Sequence, residues 1–242
     1  VTTHGATPLL IACHNGHLDI ARLLLEASAA VDQAGENGVT PLHTACHEGH
    51  SAVVRCLLRA GADTAARTPG GETALQLAKE KGHTECVEAF RQHVKESVVA
   101  GRPAATAAGG EGASGASSCG ASSAVSRVAE TLSPAVAAEQ ASSGGVEVSD
   151  EVVVAAERGE EEAVLAWLDS GGRANATYER DDVSGLTLLM GAAHHGQERG
   201  LDLLLRHGAE INQQDSDGGT ALMRAAIKGH ERVVELLIRR GA

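Results

Sequence analysis

The stretch that decides the fold is Gly38-Val39-Thr40-Pro41-Leu42-His43-Thr44-Ala45-Cys46-His47-Glu48-Gly49-His50. Thr40 is suited to cap a helix, and Pro41 fits the first helical position, where a missing N–H costs nothing. Leu42, Ala45 and Cys46 then recur at helical spacing on one face. Gly49 supplies the left-handed residue that ends the helix. A second helix is expected from Ser51 to Ala60, with Val53, Val54, Leu57 and Leu58 on its buried side. Gly61-Ala62-Asp63 closes it and begins an extended turn. The spacing therefore predicts a helix–turn–helix followed by a hairpin-like finger.

The same unit recurs. Thr7, Thr40 and Thr73 share one 33-residue register, with Gly16, Gly49 and Gly82 following each at the same offset. Thr187 and Thr220 repeat the interval, with Gly196 and Gly229. A fixed period of this size signals a stack of small units rather than one globular core. The beat fails only between Thr73 and Thr187. There, residues 97–148 hold 14 Ala, 8 Gly and 10 Ser and little large apolar surface. Such a segment cannot offset its ordering entropy, so a disordered linker is expected, with a transient helix over Ser122–Leu132 ended by Pro134.

These units resemble the ankyrin repeat. The matching strings are Thr7-Pro8-Leu9, Thr40-Pro41-Leu42-His43, the Gly-His pairs at 16–17, 49–50, 82–83 and 229–230, Gly61-Ala62-Asp63 and Gly208-Ala209-Glu210-Ile211-Asn212. The resemblance covers the chain outside the linker. It implies an all-α fold, an α-solenoid of two short arrays. Their repeats fall at about 1–35, 36–68 and 69–96, then 149–180, 181–214 and 215–242. Terminal repeats are atypical because they must close the stack. Val152–Gly171 lacks the Thr-Pro-Leu start and opens on Ser149, Asp150 and Glu151, an N-cap with acid in the first turn. Glu85–Glu96 runs on past its expected stop with Arg91, Gln92, His93 and Lys95. The first reads as the opening repeat of the second array, the other as the closing repeat of the first. One array with a large insertion is the competing arrangement.

Composition narrows the function. Net charge is −12, with 8 basic against 11 acidic residues in 1–96, 2 against 4 in 97–148 and 10 against 17 in 149–242. That balance argues against nucleic acid and anionic membranes and favours basic partner proteins. Phe90, Trp167 and Tyr178 are the only aromatics, too few for an aromatic-lined pocket. No apolar run reaches the length of a membrane span. Five cysteines without framework spacing read as free thiols of an intracellular, cytoplasmic protein. The chain starts at Val1 and stops at Ala242 within a motif, so it is read as a fragment.

Several patterns mimic chemistry. His43, His47 and His50, or His14 and His17, have metal-like spacing, but His17, His43, His50, His83 and His230 fall at framework positions, and no further ligand set joins them. His47-Glu48-Gly49-His50 is one residue short of a zinc-protease motif. Gly110-Glu111-Gly112-Ala113-Ser114-Gly115 matches a dinucleotide fingerprint without its strand and helix. Cys13, Cys46, Cys56 and Cys86 read as buried small hydrophobes, and Cys119 as an unreactive linker thiol. Asn175-Ala176-Thr177 is a sequon that a reducing compartment would leave unused, and Ser133-Pro134 offers a weak phosphorylation site. No nucleophile–base pair stands in register. No enzyme, cofactor or metal site is expected.

What remains is a surface. The resemblance implies that the two residues before each helix-ending glycine face the concave groove: His14 and Asn15, His47 and Glu48, Glu80 and Lys81, His194 and His195, Ile227 and Lys228. The fingers add Glu36, Asn37, Pro69, Asp215 and Asp217. One finger is four residues longer than its counterpart and carries Tyr178, Glu179, Arg180, Asp181 and Asp182; it is a place to expect a contact, with a tolerated loop insertion as the alternative. The implied function is a protein-interaction scaffold. The alternative is the regulatory part of a larger enzyme or channel. A weaker implication is hydroxylation at finger Asn212.

Overall fold

The computed structural model describes residues 5–99 and 148–242. The linker expectations, including Cys119, Ser122–Leu132, Ser133 and the glycine-rich match, lie outside these residues. Six helix pairs are found among the described residues. In order they are α1 (Pro8–Asn15) and α2 (Leu18–Glu26), α3 (Pro41–Glu48) and α4 (Ser51–Arg59), α5 (Ala74–Glu80) and α6 (Thr84–Val99). Then follow α7 (Asp150–Arg158) and α8 (Glu161–Asp169), α9 (Leu188–His194) and α10 (Glu198–Arg206), α11 (Ala221–Lys228) and α12 (Glu231–Arg239).

Local chemistry sets the helix ends as the sequence implies. Thr7, Thr40, Thr73, Thr187 and Thr220 all sit in extended backbone and accept a bond from the amide three residues on. In α3 and α5 the third residue answers: His43 and Gln76 bond back to the threonine amide, completing a capping box. Gly49 ends α3 at φ 82°, a conformation that would strain any residue with a Cβ. Ser149 occupies the N-cap position of α7, but its side chain makes no capping bond. The acid of Asp150 and Glu151 in the first turn remains to stabilise that end. Helix α6 runs to Val99, three residues into the stretch expected to be linker.

Burial follows the period. Leu42, Ala45, Cys46, Val54 and Leu57 are fully buried. Small residues on the first helices let neighbouring backbones approach closely, which explains how so alanine-rich a chain packs with few aromatics, Phe90 and Trp167 being the buried ones.

The stacking order is the finding the sequence does not contain. First helices pack in the order α7, α9, α11, α1, α3, α5, and second helices in the order α8, α10, α12, α2, α4, α6. The two arrays are thus joined end to end, with the C-terminal one first in space. A single buried cluster runs through both. The atypical repeats, α7/α8 and α5/α6, lie at the two outer ends, and repeats of regular pattern meet in the middle.

The lengthened finger is a β-hairpin. Strands β1 (Thr177–Arg180) and β2 (Val183–Thr187) pair antiparallel, with Tyr178 opposite Leu186 and an irregularity between Tyr178 and Arg180. Asp181 and Asp182 form the turn with positive φ (50° and 68°), a conformation that aspartate tolerates better than most residues.

Candidate interaction groove

One interaction repeats from unit to unit and aligns the groove. The Nε2–H of His50 donates to the His14 carbonyl (3.0 Å), that of His83 to the His47 carbonyl (3.0 Å), and that of His230 to the His194 carbonyl (2.9 Å). Each ring also covers the helix-ending glycine of the preceding unit; a Cβ on Gly16 would lie 2.6 Å from the His50 ring. Gln197 substitutes for histidine in the second unit and donates to the Glu157 carbonyl at 2.9 Å. At the junction of the arrays His17 does the same, donating to the Ile227 carbonyl at 3.4 Å with its ring over Gly229. These histidines serve as struts between repeats.

The buried His43 has a second structural use. Its Nδ1 bonds the Thr40 hydroxyl at 2.7 Å, and its Nε2 bonds the Ala66 carbonyl at 3.1 Å, holding the next finger to α3. Burial pushes its pKa below the usual imidazole value. Burial likewise pushes up the thiols of Cys13, Cys46, Cys56 and Cys86, which makes them poor nucleophiles.

The expected groove residues come together along the ends of the first helices. His14, Asn15, His47, Glu48, Glu80, Lys81, His195 and Lys228 are exposed; His194 and Ile227 are half-buried. Around Glu48, His47 Nδ1 stands at 2.9 Å and His14 Nδ1 at 3.5 Å from the same carboxylate oxygen. That hydrogen bond from His47, with His14 and His50 nearby, holds the Glu48 carboxyl below its ordinary pKa. Asn15 turns its amide back to the Ile11 carbonyl (3.0 Å). His194 and His195 meet edge to face, with ring centroids 4.9 Å apart. Burial first, then the charges of Lys228, His195 and Arg224, lower the His194 pKa to about 4 against the opposing pull of Glu157.

Two finger residues behave differently from expectation. Asp215 is not offered to a partner: its side chain is fully buried. It accepts from the amides of Gly219 (2.8 Å) and Asp217 (2.9 Å) and is ion-paired with Arg224. Tyr178 is half-buried and packs against the core. Its hydroxyl lies 2.9 Å from where a Cβ on Gly191 would be, so the ring closes over α9 and blocks side-chain growth there. Arg180 pairs with Glu157 and ties the hairpin to α7. Asn212 is exposed. Asn175, the sequon residue, bridges repeats instead, accepting from the Glu210 amide at 2.6 Å.

Sequence reasoning passed over Glu157 and Arg158, which occupy the groove position of the first repeat. Their signal was their place just before Gly159, obscured because that repeat lacks the threonine start. Arg224 was also missed, since its nearness to His194 arises only from stacking.

Comparison with known proteins bears on this architecture. The family profile described as Ankyrin repeats (3 copies) matches residues 1–68 and 152–242. No curated protein matches the chain. No helix among the described residues is long and apolar enough to cross a membrane. Ankyrin repeats are in general protein–protein interaction modules. The threonine caps, the histidine struts and the profile match over most of the sequence agree, and the chain belongs to the ankyrin-repeat family.

Proposed function

We propose that this chain is a protein-interaction scaffold that binds partner proteins in one groove running across all six repeats. The observation that carries this reading is the division of labour along each first helix. Apolar faces and struts are consumed by stacking, whereas the last two positions before each turn, Ile227 apart, are polar and are mostly exposed in six successive units. Those positions vary from repeat to repeat, as a recognition surface does when the framework is constant. From Glu157 and Arg158 the groove runs through His194, His195, Ile227 and Lys228 to His14, Asn15, His47, Glu48, Glu80 and Lys81. Tyr178 at the edge of the α9 floor shapes the groove wall. Contacts there rest on hydrogen bonds and charge, with no catalytic step. The buried unpaired thiols suit a reducing cytoplasmic setting.

The test is affinity capture with the intact chain and two variants of equal thermal stability. One carries His47→Ala, Lys228→Ala and His195→Ala in the groove. The other carries Arg22→Ala, Arg199→Ala and Arg232→Ala on the second helices. Partners lost with the groove variant and kept with the outer one support the reading. The reverse pattern, or equal capture by both, overturns it.

A further inference from the structure

The contact between the two arrays is built like a joint inside an array. His17 donates to the Ile227 carbonyl and covers Gly229, the same pairing that His50 makes with His14 and Gly16. Helix α1 lies on α11 and α2 on α12, as α3 lies on α1 and α4 on α2. The two units that meet there carry the regular pattern, Thr7-Pro8-Leu9 on one side and Gly229-His230 on the other. The atypical, end-closing units point outward instead. Nothing in the bonding of this joint depends on both halves belonging to the same chain.

Because the C-terminal array stands first, Val99 and Val148 belong to opposite ends of the stack. Five packing steps between adjacent helices span roughly 40–50 Å.

We propose that the joint is exchangeable, so that a second copy of this chain takes the place of the chain's own array. The α11/α12 face of one copy receives α1/α2 of the other, and the reciprocal joint forms at the same time. The product is an array-swapped dimer containing two six-repeat stacks. Each groove is then lined by both copies: His194, His195 and Lys228 from one, and His14, His47 and Glu48 from the other. With the stacks side by side and antiparallel, the end of α6 and the start of α7 of each chain come close together. Exchange of an identical element in this way is a low-cost route to a dimer.

The experiment uses the intact chain. Sedimentation is compared from about 10 µM to about 1 mM, up to the millimolar effective concentrations typical of covalently joined domains. The mass is expected to rise from 24.7 kDa towards twice that value. Donor- and acceptor-labelled copies mixed at high concentration should gain energy transfer slowly, as joints open and re-form. A second variant shortens residues 100–147 to eight residues, whose reach of at most roughly 30 Å falls short of the stack. Its mass should at least double at all concentrations, with helix content unchanged, and His17→Ala in that background should lower the associated fraction severalfold while His83→Ala does not. A shortened chain that stays at monomer mass overturns the proposal. So does association that is indifferent to His17.

Discussion

Replacing Asp215 with alanine separates the two roles that this residue can have. In sequence it is a finger residue, placed to touch a partner. In the structure its carboxylate is fully buried and accepts from the amides of Gly219 and Asp217 while pairing with Arg224, whose side chain is 19 % exposed. Removing it orphans two backbone donors and leaves a largely buried guanidinium without its counter-ion. Hydrogen bonds to a charged group contribute about 1.5–3 kcal/mol each. Breaking a buried pair from one side costs about 3–5 kcal/mol. These terms overlap, so the expected loss for Asp215→Ala is about 3–5 kcal/mol. That is a large share of the ~5–15 kcal/mol that holds an ordinary domain. Asp215→Asn keeps one acceptor oxygen and should lose about half as much. Urea unfolding reports the change, followed by helix content and by Trp167, the single tryptophan, which lies in the same array. The finger should melt first, because it is the element the carboxylate holds together. A loss below about 1 kcal/mol, accompanied by lost partner capture, would refute this reasoning and restore Asp215 to the surface.

Three further outcomes are expected. Stability should fall as the solution is acidified from about pH 6.5, because His43 and His194 have folded pKa values below their unfolded value. Their contribution is complete above pH ~6.5 and is lost as pH drops, for His194 down to about pH 4. The slope is at most about 1.4 kcal/mol per pH unit for each group, less for the half-exposed His194. His43→Gln should flatten the melting profile between pH 6.5 and 5, and an unchanged profile would contradict the assignment. Native thiol labelling should spare Cys13, Cys46 and Cys86 and reach the half-buried Cys56 before them; equal labelling rates at all four would show that the stack is open. Gly172→Ala places a Cβ 2.4 Å from the Trp167 indole, so it should cost about 1–3 kcal/mol and shift tryptophan emission. An unmoved emission maximum would mean that the loop yields instead of the ring.

The repeat unit was legible because its determinants are local. A threonine three residues before the amide it accepts, a proline at the first helical position and a glycine at the last turn all act within a dozen residues. The histidine struts were legible too, since their place after the glycine recurs. The candidate groove was legible only in part. His14, His47, His195 and Lys228 could be placed by register, but Asp215 could not be told from its exposed neighbours. Its burial depends on Arg224, nine residues on, reaching back to it, and on the Ser184–Ser216 bonds between adjacent fingers. Tyr178 was singled out for an unusual loop, yet where its ring rests follows from Gly191 on another element.

By itself the sequence determined the helix pairs, their caps, the two arrays and which residues line the ends of the first helices. Those follow from backbone sterics and side-chain periodicity over short distances. Only the tertiary structure decided that the arrays join, and that the later one precedes the earlier in space. Repeat faces recognise one another by shape and by a strut to a carbonyl, and such a face carries no record of chain order. The closing repeats at 69–96 and 149–180 already differ from the rest, but a difference becomes an end only when the neighbours are known. The meeting of His17 with Ile227, 210 residues apart, makes two short arrays into one groove.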